Sequence, residues 1–181
     1  NAGFEAGWEI EIFGGFRRSV EPAAAEVGAA EEDLRDVLVS LLGEVAVNYI
    51  EVRTYQARIS KAEGNIAKQQ ETYQVALWRQ KAGLSDELAV QEARYNLEST
   101  RAQLPGLRSG LEESLNRIAV LLGEQPGSIH KQMEGPAAIP APPSDVAVGV
   151  PAEMLRRRPD VRRTERELAA QTARVGVATA E

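Results

Sequence analysis

One histidine, a run of arginines and two pairs of adjacent glutamates are the groups in this chain that could do chemistry. His130 is the only imidazole, and it stands in a proline-rich stretch. Neither a Ser–His pair nor an HExxH zinc site can be assembled around it, so a satisfied or solvent-facing side chain is expected. Glu31-Glu32 and Glu112-Glu113 fall on helical patterns rich in Arg and Gln, which marks solvated helix faces rather than a general acid/base dyad. Arg156-Arg157-Arg158, with Arg162, Arg163 and Arg166, could form an anion or nucleic-acid site. Asp160, Glu165 and Glu167 interleave with these arginines, and no aromatic residue stands near to stack on bases. An ion-paired helix start is the expectation there. With no cysteine and no glycine-rich phosphate loop after a strand pattern, no catalytic residue, cofactor or metal site is expected. The balance of 21 basic against 27 acidic residues, net −6, argues against nucleic acid as a partner.

The elements that would position any site are long and helical. Leu38, Val45, Val52, Ile59, Ile66 and Tyr73 recur every seven residues. A second row, Val20, Val27, Leu34, Leu41, Tyr55 and Ala62, is staggered from the first. After Lys81-Ala82-Gly83-Leu84-Ser85-Asp86 the pattern resumes with Val90, Leu97, Leu104, Leu111 and Ile118. A repeat of about 3.5 residues held this long makes a supercoiled antiparallel hairpin rather than an enclosed pocket. The first helix is predicted from near Ser19, a capping residue with Pro22 in its first turn, to about Arg79. The second is predicted from Ser85 or Asp86 to Gly123, with a kink near Pro105. Asn48, Gln56, Gln69 and Gln70 lie on or beside the seam, where polar residues fix register. Gly28, Gly43 and Gly64 are expected to admit close helix neighbours.

Flanking material differs. Phe4, Ala6, Trp8, Ile10 and Ile12 alternate with Glu5, Gly7, Glu9 and Glu11, the period of a strand with one apolar and one polar face. Residues 124–151 carry six prolines, from Pro126 to Pro151, and should be an extended connecting segment with little regular structure. A further helical pattern begins near 150–155, is punctuated by Pro159, and continues through Val161, Leu168 and Val175 with Asp160 as a capping position. No run approaches the roughly 18 apolar residues of a membrane-spanning helix. Asn1 in place of Met, and Glu181 inside an uncapped helical pattern, suggest a piece of a longer protein.

At the turn, Leu84 stands among Arg79, Lys81, Asp86 and Glu87. A hairpin this long makes most sense if its end touches something, so the turn is read as a docking tip.

These segments resemble the outer-membrane efflux proteins of the TolC type, nearest to the lipoprotein branch that includes OprM, CusC and the NodT-like proteins. The strand Gly7-Trp8-Glu9-Ile10-Glu11-Ile12-Phe13-Gly14 with Arg17-Arg18 is similar to the family's entry into its first long helix. Ala82-Gly83-Leu84-Ser85 with Leu88 and Val90 is similar to its hairpin tip. Leu104-Pro105 and Arg117-Ile118-Ala119-Val120-Leu121-Leu122-Gly123 with Pro126 resemble the end of the returning helix. Leu155-Arg156-Arg157-Arg158-Pro159-Asp160-Val161 with Glu165 resembles the start of the second repeat. One departure is Ala89, where relatives usually carry Asp.

The resemblance implies an all-α, long antiparallel coiled-coil hairpin, part of a TolC-type α-barrel, with one short amphipathic β-strand and a proline-rich connection. Residues 1–15 would be an outer-membrane barrel strand, 16–123 the periplasmic hairpin with its tip at 80–86, 124–151 an equatorial linker, and 152–181 the start of a second-repeat helix. Arg79, Gly83, Leu84, Ser85 and Asp86 would meet a periplasmic adaptor. Trp8, Ile10 and Ile12 would face lipid, with Glu9 and Glu11 toward the lumen. The full-length protein would be a homotrimeric outer-membrane duct, coupled indirectly to an inner-membrane transporter, for drugs, dyes or metals. The alternative is a periplasmic adaptor or coiled-coil scaffold that lines no pore, which the lack of paired β-rich flanks disfavours.

Overall fold

The computed structural model describes residues 3–4, 15–135, 137–142 and 151–180. The strand expected around Trp8, Glu9, Ile10, Glu11 and Ile12 lies outside the described residues. Among those described, every regular element is a helix. They are α1 (Gly15–Lys81), α2 (Glu87–Leu121), α3 (His130–Met133), α4 (Pro151–Arg157) and α5 (Pro159–Ala180). The chain forms two compact units, one of residues 41–142 and one of residues 1–40 with 143–181.

In the unit of residues 41–142, α1 and α2 make the antiparallel hairpin that the heptads require. On α1 the rows Val45, Val52, Ile59, Ile66, Tyr73 and Leu41, Tyr55, Ala62 are buried or half-buried. On α2 Val90, Leu97 and Ile118 are buried, with Leu104 and Leu111 half-buried. Polar ties flank this seam at heptad intervals. Arg108 Nη2 donates to Glu63 Oε1 at 3.0 Å, and Arg101 Nη2 donates to Gln70 Oε1 at 2.7 Å. Seven residues forward on α1 thus correspond to seven residues back on α2, which pins the register. Asn48 is buried but spends its amide on the Glu44 carbonyl of its own helix, 2.8 Å away, and so does not fix register across the pair. Gly43 and Gly64, expected to admit a neighbour, face open space. The close approach falls at Gly110, over which the Tyr55 ring lies. Helix α2 runs on through Pro105.

The first part of the connecting segment, up to Gly135, docks on the hairpin. It contains the short helix α3, and just before it Ile129 is buried at 2% exposure. Ile129 joins Val52, Leu115, Ile118 and Ala119 in the hairpin's apolar core, with Tyr49, Leu111 and Met133 packed against them. Burying one such side chain contributes about 1.5–3 kcal/mol, enough to dock a segment that has no periodicity of its own.

In the other unit α1 packs against α5. Helix α1 already exists at Gly15, upstream of the expected start, so Ser19 is an interior residue and Pro22 lies beyond the first turn. Pro22 removes the helical bond that the Arg18 carbonyl would receive, and its ring is buried. The early members of the apolar rows are also on the wrong face. Val20, Val27, Leu34 and Leu38 are exposed, while Ala29 and Glu32 are buried. The reason is a change of partner. Helix α5 brings small residues and arginines rather than a heptad row: Ala170 is buried, and the Arg166 stem passes 3.5 Å from where a Gly28 Cβ would stand.

Within the arginine cluster Arg158, Arg162 and Arg163 are ion-paired, and Arg162 and Arg163 reach acids of α1 rather than only the interleaved ones. Arg163 Nη1 donates to Asp33 Oδ1 at 2.6 Å, Arg162 lies 3.6 Å from Glu32, and Arg174 pairs with Glu26. Arg18 Nη1 donates to the Gly176 carbonyl at 3.2 Å. Glu32 departs from the solvated-face expectation, because its carboxylate is 6% exposed and held by Arg35 as well as Arg162. Asp160 is not the cap of α5 but its second residue. Its carboxylate accepts two bonds from Arg158, at 3.0 and 2.7 Å, and that hydrogen-bonded guanidinium holds the carboxyl below its usual range.

Candidate functional site: the hairpin tip and the clasped segment

The turn between α1 and α2 is fixed by backbone chemistry at both ends. The Gly83 N–H donates to the Gln80 carbonyl at 2.9 Å and the Leu84 N–H to the Arg79 carbonyl at 2.8 Å. This pair of bonds is the Schellman closure, and it requires the left-handed φ of +70° that Gly83 adopts. Helix α2 ends the same way: Gly123 at φ +73° donates to the Val120 carbonyl, and Glu124 to the Ala119 carbonyl. Between Ser85 and Asp86, the structure selects Asp86 as the cap of α2. Asp86 has an extended backbone (φ −88°, ψ 171°), and its Oδ1 accepts the Ala89 N–H at 3.0 Å.

Stopping one helix with glycine and starting the next with aspartate leaves Leu84 at the apex. A Schellman turn usually folds the residue after its glycine back on the helix, yet Leu84 is 72% exposed. Arg79, Gly83 and Asp86 are exposed around it, and Ser85 is half-buried. Two further apolar residues stand in solvent nearby, Trp78 and Leu88, each at 64%. Neither was singled out as a contact from the sequence. The available signal was their position, since both fall off the seven-residue rows that face the partner helix. Leu88 and Tyr95, seven residues apart, line a shallow depression with Gln91, Glu92 and Asn96.

A second constellation sits at the opposite end of the hairpin. Arg53 on α1 is 7% exposed, and its guanidinium reaches the connecting segment. Arg53 Nη1 donates to Gly135 O at 3.1 Å and Met133 O at 3.4 Å, and Gln56 Nε2 donates to Met133 O at 2.9 Å. The Tyr49 ring lies 5.0 Å below the guanidinium. A cation at the carbonyl end of α3 satisfies acceptors that a four-residue helix leaves unpaired. His130 lies on the α2 side of the same segment, with Nε2 2.7 Å from Glu112 Oε2. Among the described residues no cluster of acidic, histidine or cysteine side chains could hold a metal ion. Among the described residues no helix is long and apolar enough to cross a membrane.

Taken together, the heptad hairpin, its capped apolar tip and the segment clasped at its far end define a long antiparallel helical-hairpin protein. The chain belongs to the outer membrane efflux protein family, whose pattern matches residues 1–124. It is 34% identical over 174 residues to nodulation protein T of Rhizobium leguminosarum bv. trifolii, covering 96% of this chain and 37% of that protein. It is 32% identical over 179 residues to the solvent efflux pump outer membrane protein SrpC of Pseudomonas putida, covering 98% of this chain and 37% of the relative. Among solved structures, the outer-membrane channel OprN superposes with a TM-score of 0.84 at 41% identity, over 96% of this chain and 39% of that one. The chain thus spans a little over a third of the length of these proteins.

Proposed function

We propose that the full-length protein is the outer-membrane duct of a tripartite efflux pump, a passive export channel with no catalytic activity of its own. Family membership and likeness to OprN and SrpC support this reading. In it, residues 16–123 form one periplasmic hairpin of a homotrimeric α-barrel, with the tip at 80–86 docking a periplasmic adaptor. Residues 1–15 supply a barrel strand, with Trp8, Ile10 and Ile12 toward lipid and Glu9 and Glu11 toward the lumen. Residues 124–151 are the equatorial linker, and 152–181 begin the second repeat. An inner-membrane transporter supplies the energy and is reached through the adaptor. Opening is a repacking of hairpins against one another, without chemistry.

The observation that carries the docking role is Leu84, a large apolar side chain held in solvent by two backbone closures and flanked by Arg79, Ser85 and Asp86. The test is a photo-crosslinking residue at Leu84 of the full-length protein in cells, with the captured partner identified by mass spectrometry. Capture of a periplasmic adaptor is the expected result. Capture of further copies of the channel alone would leave a scaffold as the better account.

A further inference from the structure

Three kinds of contact hold the connecting segment to the hairpin, and one of them titrates. Ile129 plugs into the apolar core, Arg53 and Gln56 hold the carbonyls of Met133 and Gly135, and His130 reaches Glu112 at 2.7 Å. The first two are indifferent to pH in the range where an imidazole ionises. We propose that His130 and Glu112 form a proton-operated latch, which holds residues 127–135 firmly on the hairpin when His130 is protonated and loosens them when it is neutral.

The electrostatic surroundings favour such a latch. The hydrogen bond to Glu112 of α2 raises the His130 pKa above the ordinary value of 6.5. Partial burial opposes the rise, while the Glu112 charge, the Gly127 carbonyl and Glu134 add to it. From α1 the charged group that reaches the segment is Arg53, which is engaged with carbonyl oxygens. Lys131 is the exposed neighbour on α3 itself. A raised pKa means that the folded state favours the protonated form. The stabilisation is therefore complete below about 6.5 and is lost as pH rises through the higher folded value. Neutral His130 can still donate to Glu112, but the bond is then no longer charged at both ends and is weaker. Loosening is the consequence, not release, because Ile129 and Arg53 stay in place.

Hydrogen–deuterium exchange on the full-length protein tests this, reading peptides within 124–135 from about pH 5.5 to about pH 8 after correction for the intrinsic rate. Wild type should lose protection in this segment as pH rises, by roughly two- to fivefold. His130→Gln should give a pH-independent profile near the weaker level. Glu112→Gln, which keeps the imidazole and the Ile129 plug, should also lose the slope. A wild-type segment whose protection does not change with pH overturns the latch. So does a slope that survives in either variant.

Discussion

The Tyr55 ring of α1 lies directly over Gly110 of α2, so close that a Cβ on Gly110 would stand 2.5 Å from the ring's Cζ. Real Cβ atoms do not make such contacts, so the glycine is what lets the ring cross the partner helix. Gly110→Ala forces the ring out and should destabilise the hairpin by about 1–3 kcal/mol, less the roughly 1 kcal/mol that alanine returns in helix propensity. The same substitution in a Tyr55→Leu background should be neutral or stabilising. Urea denaturation of the four proteins gives the coupling directly, and additive effects would show that the ring moves aside without strain.

Arg53 supports a second prediction. Its guanidinium is buried, and it satisfies the carbonyls of Met133 and Gly135 together with the Gln56 amide. Arg53→Met preserves bulk but takes the donor from Gly135 O and Gln56 Oε1, while Met133 O keeps its bond from Gln56 Nε2, a loss of about 1.5–3 kcal/mol concentrated in the connecting segment. Lysine should recover less than half of it, since one ammonium cannot reach in several directions as a planar fork does. Protease cleavage within 134–142, compared across wild type, Arg53→Met and Arg53→Lys, reads this locally.

How much of this was legible in the sequence depends on the partner of each stretch. From Leu41 onward the seven-residue rows of α1 identify the buried face, because α2 answers with a matching repeat. Before Leu41 the same rows mislead. The packing face there uses Ala29, Gly28 and Ala170, residues too small to carry a hydropathy signal, and the heptad residues Val20, Val27 and Leu34 are left in solvent. Ile129 and α3 were hidden for another reason: one apolar residue among prolines has no period to detect. The tip was readable because glycine and aspartate are required by backbone geometry rather than by a partner. Its apolar surround, Trp78 and Leu88, would have followed from asking which large side chains the rows exclude.

Glu32 should be less important than its burial suggests. Its carboxylate is buried beside Arg35 and Arg162, and Oε2 has no hydrogen-bond partner. Both arginines are about half exposed, so removing the acid strands no buried cation. Desolvation of the carboxylate offsets much of the attraction, and an apolar side chain of similar length avoids that cost. Glu32→Met is therefore expected to change stability by less than about 1 kcal/mol, or to raise it. A thermal-unfolding comparison decides the matter, and a large loss would mean that the pair is strongly net favourable.

The tip separates local stability from recognition most cleanly. Asp86→Ala deletes the acceptor for the Ala89 N–H and should cost about 1 kcal/mol at the start of α2, while Asp86→Ser should restore most of it. Gly83→Ala places a side chain at φ +70° and should cost about 1 kcal/mol, fraying the end of α1. Leu84→Ser touches neither closure and should leave stability unchanged, because the leucine is already in solvent. Exchange protection of residues 78–90 should therefore fall in the first and third variants and hold in Leu84→Ser. Adaptor crosslinking from a neighbouring tip position in cells should show the reverse emphasis, with Leu84→Ser the most impaired. If Leu84→Ser crosslinks as well as wild type, the exposed leucine does not contribute to docking, and Trp78 and Leu88 become the surface to test.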